Sequence, residues 1–323
     1  MSYVFAVSAP DTGVTIGRSA PWFAAPVVVS VLCMVIWGAS PVATRVATED
    51  LEPLVVAVLR TVLAALVAVP LVATSRLRPP SNGHSRLLLA VSAATAFVIF
   101  PIVYTIGQER TSAMHGVAIL AGLPVFTGLW AALVTRQRPG VWWLAGCAVA
   151  LAGEAVIIAV RTGGDDGTAT LGGDLLVLAA ALGVSSGYVA GARLVPRGVS
   201  SATTTYWGVI LGALVLAPLA VGLFAGGHVP QADARTWGAV LFLAVLVSIV
   251  AYVGWYWALA RGGIMRMAPL MFLQPISGLV LAALVLGERL TPELGLGAAA
   301  VLAGVALARR DSRVEAQPSA GEA

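Results

Sequence analysis

The chain has 323 residues, 59% of them hydrophobic and 11% charged, with a mean hydropathy of +0.93. Soluble domains run nearer about 45–50% apolar and about 25% charged, so a water-covered globule of this composition has too few charges to coat its surface. The formal charge of +4 rests on arginine alone, since there is no lysine. Cations this sparse exclude a nucleic-acid partner, which needs positive charge clustered on one face.

What remains is a polytopic membrane protein whose partner is the lipid bilayer. Residues 1–22 read as a cytoplasmic tail. They lack the basic start and apolar core of a cleavable signal peptide. Unbroken apolar stretches then predict ten spans, at 23–46, 53–73, 87–107, 112–135, 140–160, 173–192, 201–225, 236–259, 264–286 and 291–308. At roughly 20 residues each they fill the chain and leave no sizeable soluble domain. None alternates polar and apolar residues as β-barrel strands do. Residues 309–323 read as a second cytoplasmic tail, polar and disordered from 311 onward. Cys33 and Cys147 sit inside apolar runs without CxxC spacing or histidine neighbours, so neither a disulfide nor a metal site is read there.

Arginine orients the chain. With the N-terminus inside, thirteen arginines fall on inner segments and five on outer ones, and Arg60 lies within a span. This positive-inside bias puts both termini in the cytoplasm, with the protein in the inner membrane.

A shift of 151 residues aligns 124–156 with 275–307 without a gap, and twelve of the 33 positions are identical. Pro124 falls on Pro275, Arg138 on Arg289, Gly146 on Gly297 and Gly153 on Gly304. Composition alone does not bring these residues into register. Five spans per copy is odd, so the second copy enters the membrane inverted. The predicted fold is an all-α polytopic membrane protein of ten transmembrane helices arranged as two inverted five-helix repeats. The first repeat covers 23–160, an outer linker 161–172 and the second repeat 173–308. Inverted repeats are a recurring plan of secondary transporters, with a central site that alternates access.

The motifs point the same way. Trp37-Gly38-Ala39-Ser40-Pro41-Val42-Ala43-Thr44-Arg45 opens the first span, Pro53 followed by Arg60 opens the second, and Leu286-Gly287-Glu288-Arg289-Leu290-Thr291 closes the ninth. In these features the chain resembles the EamA-like branch of the drug/metabolite transporter superfamily, over about 23–308. The resemblance implies ten spans and solute transport, often outward, without naming a substrate. Two departures stand out: Gln137 occupies the first-half place of Glu288, and Glu154 stands where the second half has Val305.

Candidate site residues follow from what a bilayer penalises. Pro124 and Pro275 are predicted near mid-span. Each removes an N–H and frees a carbonyl for solute or water, with Gln274 adding polar atoms beside it. Trp37 lies deep in its span as a cavity wall or core residue, whereas the other eight tryptophans read as an interfacial belt. Tyr104 and Tyr256 read as belt residues or cavity gates. Arg60 and Glu154 are intramembrane charges at matching depths, free to pair if their spans meet. Glu154, and after it His115, is the candidate proton-coupling group. Gly146, Gly153, Gly297 and Gly304 read as close packing between spans five and ten.

Gly183-Val184-Ser185-Ser186-Gly187 matches a nucleophile-elbow pattern, but it lies in an apolar helical run without a base. No phosphate loop or HExxH occurs, and no cofactor is read. The sequence therefore points to a secondary transporter that exports a small metabolite, amino-acid-like or amphiphilic. Transport is either coupled to protons or uncoupled. The alternative is a non-transporting membrane protein, either a sensing or packing partner or an intramembrane enzyme. Oligomeric partners are not legible.

Overall fold

The computed structural model describes residues 24–136, 140–159, 170–225, 231–262, 270–271 and 273–314. The described chain is helical. The helices are α1 (Ala24–Asp50), α2 (Pro53–Thr74), α3 (Gly83–Glu109), α4 (Ala113–Leu120), α5 (Leu123–Thr135) and α6 (Val141–Ala159). They continue as α7 (Leu171–Ala192), α8 (Ser201–Phe224), α9 (Ala234–Leu241, Phe242–Val250 and Ala251–Gly262 in one run), α10 (Leu273–Leu286) and α11 (Pro292–Val314). Among the described residues, seven helical runs are long and apolar enough to cross a membrane, one of them the pair α4 and α5. Three shorter apolar helices, Val141–Gly153, Leu273–Leu286 and Pro292–Gly304, lie beside them.

Local chemistry sets the helix starts. The side chains of Asn82, Ser112, Thr170, Ser200 and Asp233 each accept the backbone N–H three residues on, satisfying donors that a helix N-terminus leaves free. The outward faces are apolar. Leu133, Leu214, Val221, Leu284 and Leu296 are all more than half exposed, a surface suited to lipid and not to water.

Two features depart from the predicted uniform spans. Span four is broken at Ala121 and Gly122, giving α4 and α5. Spans three and eight each contain a π-helical segment, Thr95–Ile99 and Phe242–Val250. Such segments displace side chains relative to the helix around them and recur at functional sites. Residues 311–314, expected as disordered tail, instead continue α11 to Val314.

The helices pack in a definite pattern. α1 lies against α10 and α9, α7 against α3, α4 and α5, α2 against α8, α9 and α3, and α6 against α11. The α6–α11 seam is built on glycine. A Cβ on Gly153 would lie 2.8 Å from the Gly297 carbonyl oxygen, and one on Gly304 would lie 2.5 Å from that of Gly146. Only hydrogen fits at either place, and the two backbones touch.

Candidate functional site

The π segments position an aromatic cluster at the centre of the bundle. Phe97 lies within the first, and Phe100 and Tyr104 follow it; Tyr252, Trp255 and Tyr256 follow the second. Trp37 of α1 packs edge-on to Tyr252 at 5.2 Å and to Trp255 at 6.2 Å, and stacks on Tyr188 of α7 at 6.2 Å. Its Nε1 donates to the Val247 carbonyl at 3.3 Å. Tyr252 also meets Phe97, Tyr188 and Tyr256, at 5.2, 6.0 and 6.3 Å. Phe100 stacks on Tyr104 at 4.9 Å.

Arg60 of α2 points into this cluster. It is 3% exposed, its Nε and Nη1 have no hydrogen-bond partner, and its electrostatic neighbours are Tyr252, Tyr104 and Tyr188. The Tyr104 hydroxyl is also without a partner. Burying an unpaired charge costs several kcal/mol, so the fold tolerates Arg60 at an expense to its own stability. α6, which carries Glu154, packs chiefly on α11, whereas α2 packs on α8, α9 and α3. The Glu154 side chain itself lies outside the described residues.

The two prolines sit elsewhere than mid-helix. Pro124 occupies the first turn of α5, and Pro275 the first turn of α10. A missing N–H is harmless there, because first-turn donors have no intrahelical acceptor. The break lies just before the proline in span four. Leu120, Ala121, Leu123, Gln274 and Pro275 border a narrow cleft at this break, and a neighbouring one is lined by Trp37, Gly38, Pro41, Gln274 and Pro275. Trp37 therefore belongs both to the aromatic cluster and to the lining of the second cleft. The Pro124 side chain lies outside the described residues.

Near one end of the bundle lies a second polar group. His115 of α4 and Asp174 of α7 are buried, with His115 Nδ1 3.2 Å from Asp174 Oδ2. The Thr111 hydroxyl donates to Asp174 Oδ1. His115 Nε2 is buried without a partner, as is Gln108 Oε1. The Gln108 amide donates to the Ser112 carbonyl at 2.8 Å. His115 thus meets the carboxylate through Nδ1 and leaves Nε2 facing the interior without a partner. Gln108 lies one helical turn from Tyr104 on the same face of α3, which links this group to the cluster around Arg60.

Sequence reasoning missed Tyr188, Tyr252, Trp255, Asp174 and Thr111. Trp255 is a correction: it is buried in the cluster and does not belong to an interfacial belt. Tyr104 and Tyr256, read first as belt residues, are likewise buried. His115, a coupling candidate after Glu154 from the sequence, has a carboxylate partner in Asp174. The Gly183–Gly187 pattern lies inside α7, where Ser185 Oγ donates to the Ala181 carbonyl and Ser186 Oγ to that of Gly183. No strand-to-helix turn presents either serine. Among the described residues no group of histidine, cysteine or acidic side chains is placed to hold a metal.

Apolar helix faces turned outward around buried polar and aromatic side chains fit a multi-pass membrane protein. The sequence profile of the EamA-like transporter family matches residues 25–159 and 171–310, and the chain belongs to that family. Among its relatives, the "Uncharacterized transporter YdeK" of Bacillus subtilis is 29% identical, covering 86% of this chain and 94% of that protein. The "Probable amino-acid metabolite efflux pump" of Escherichia coli is 30% identical over 86% and 92% of the two chains. A "Probable terminal-alkyne amino-acid exporter" of Streptantibioticus cattleyicolor is 32% identical over 69% and 73%. A crystal structure with 19% identity superposes with a TM-score of 0.62, covering 91% of this chain and 99% of the other, and shares the fold. The family and the relatives' names point to transport and not to an enzyme.

Proposed function

We propose that the protein is a secondary exporter. It moves a small metabolite, amino-acid-like or amphiphilic, out across the cytoplasmic (inner) membrane by alternating access. The observation that carries this reading is the aromatic cluster closed around Arg60. It draws Trp37, Phe97 and Tyr104 from the first half of the chain and Tyr188, Tyr252 and Trp255 from the second. Rocking one half against the other would open such a site to one side at a time. The relatives named as efflux pumps and amino-acid exporters support the outward direction and the solute class.

Two inverted five-helix repeats, 23–160 and 173–308, would supply the moving parts. The packing supports them. Exchanging the first five spans for the last five turns the α1–α10 contact into that of α7 with α4 and α5, and α1–α9 into α3–α7. The same exchange turns α2–α9 into α3–α8, and it leaves α2–α8 and α6–α11 unchanged. Shifted by 151 residues, the π segment Thr95–Ile99 falls within the π segment of α9. The arginine bias supports both termini facing the cytoplasm.

Trp37, Tyr104 and Tyr256 form walls of the site. Gln274 and Pro275 line the clefts beside it, and Pro124 follows the break in span four. Proton coupling is assigned to His115 with Asp174 ahead of Glu154, because the pair is buried and His115 Nε2 is unoccupied.

The test compares metabolites in cells and medium with and without overexpression, using the Pro124→Ala/Pro275→Ala double variant as a control. Compounds moving outward only with the native protein are expected, and flux of those compounds from liposomes follows. A purified protein that moves none of them under any gradient would overturn the exporter reading.

A further inference from the structure

We propose that Arg60 and Tyr104 together receive a carboxylate on the transported solute, so that the site selects monocarboxylates bearing an apolar or aromatic body. This rests on the transporter reading and adds the chemistry of recognition.

Three donors meet here without an acceptor: Arg60 Nε, Arg60 Nη1 and the Tyr104 hydroxyl. A guanidinium 97% shielded from solvent and left unpaired is a poor structural element, since a hydrophobic residue of similar volume packs better in its place. The ion pairs formed among the described residues, His115 with Asp174 and Arg235 with Glu49, leave Arg60 out. Asp174, the buried carboxylate, is already occupied by Thr111 and His115. The missing counter-charge is therefore to come from the solute.

Its class follows from the surroundings. Carboxylates pair with arginine through short, charge-assisted hydrogen bonds, and one cation balances one negative charge. A dianionic phosphate would need further cations, and the groups around Arg60 are phenols and hydrocarbon rings. The ring faces of Trp37, Tyr188 and Tyr252 suit an apolar or aromatic body beside the carboxylate.

The experiment measures binding to the purified full chain in lipid nanodiscs, by quenching of tryptophan fluorescence, since Trp37 and Trp255 lie in the cluster. The probes are L-phenylalanine, N-acetyl-L-phenylalanine, which keeps the carboxylate and loses the ammonium, and L-phenylalaninamide, which does the reverse. The native protein is expected to bind both carboxylates at least about tenfold more tightly than the amide. Arg60→Gln is expected to abolish that preference and Arg60→Lys to restore part of it. Tyr104→Phe is expected to narrow it. The thermal midpoint of Arg60→Gln is expected to equal or exceed that of the native chain, because an unpaired buried charge has been removed.

Equal binding of amide and acids by the native protein would overturn the proposal, and so would a preference surviving in Arg60→Gln. A lowered midpoint for Arg60→Gln would make Arg60 a structural residue. Binding of none of the three probes would overturn this solute class, while the overexpression comparison decides the exporter reading separately.

Discussion

The Glu288 carboxylate accepts the backbone N–H of Ala113 at 2.8 Å through Oε1, and its Oε2 accepts that of Met114 at the same distance. A side chain from the turn after α10 thus caps α4, 175 residues earlier in the chain. Negative charge at a helix N-terminus also meets the positive end of the helix dipole. The Gly-Glu turn is therefore a strut between the two halves, and it holds the segment that carries His115.

Glu288→Ala is expected to lower stability by about 1–2 kcal/mol, the usual loss when a capping acceptor is removed. Thermal unfolding of the detergent-solubilised protein checks this. Glu288→Gln, which keeps one acceptor oxygen, should lose less.

The α6–α11 seam predicts a sharper effect. Gly153→Leu or Gly304→Leu places a branched side chain where even a Cβ meets backbone at 2.8 or 2.5 Å. The helices must separate, and the variants are expected to aggregate or elute polydisperse on size exclusion. Gly183→Ala, where nothing lies within 4 Å of the added carbon, should behave as the native chain does.

For coupling, His115→Asn and Asp174→Asn are expected to abolish the pH-gradient dependence of flux in liposomes while solute exchange persists. Glu288 holds the start of α4, Asp174 faces it from α7, and α6 with Glu154 packs beside it, so Glu154→Gln is the paired comparison. A gradient dependence lost only in Glu154→Gln would return coupling to that residue.

The aromatic cluster predicts that Trp37→Ala reduces transport more than stability. Trp37 meets three rings and one carbonyl, and its loss leaves space in the solute site. Initial efflux rates set beside thermal midpoints separate the two effects. Trp255→Ala should behave alike, whereas alanine at the exposed Trp142 should change neither strongly.

At the start of α9, the Thr236 backbone N–H donates to Asp233 and holds its carboxyl below the usual carboxylate range. The folded form is thus the weaker proton binder. This cap contributes above the ordinary carboxylate pKa and is lost as pH falls through the lowered value. Asp233→Asn, which also caps, should remove that acid-limb dependence of the melting temperature and change stability at neutral pH little.

Hydropathy, arginine placement and the 151-residue self-match were enough to predict an all-helical membrane protein and to bring the glycines of α6 and α11 into register. These are local or periodic signals: a bilayer demands long apolar runs, and close helix contact demands small residues at fixed spacing. The cluster around Arg60 was legible only in part. Arg60 and Trp37 stood out because each is anomalous within its own span. Tyr188, Tyr252 and Trp255 did not, since an aromatic residue in an apolar helix reads the same whether it faces lipid or a neighbour. The π segments that turn Phe97 and Tyr252 inward depend on which helices pack together. Asp174 lies in the first turn of the span predicted at 173–192, where an acidic residue suits the helix N-terminus and carries no separate signal. Only tertiary structure placed it against His115, 59 residues earlier, because the partner of a buried polar group is fixed by which helix ends meet and not by distance along the chain.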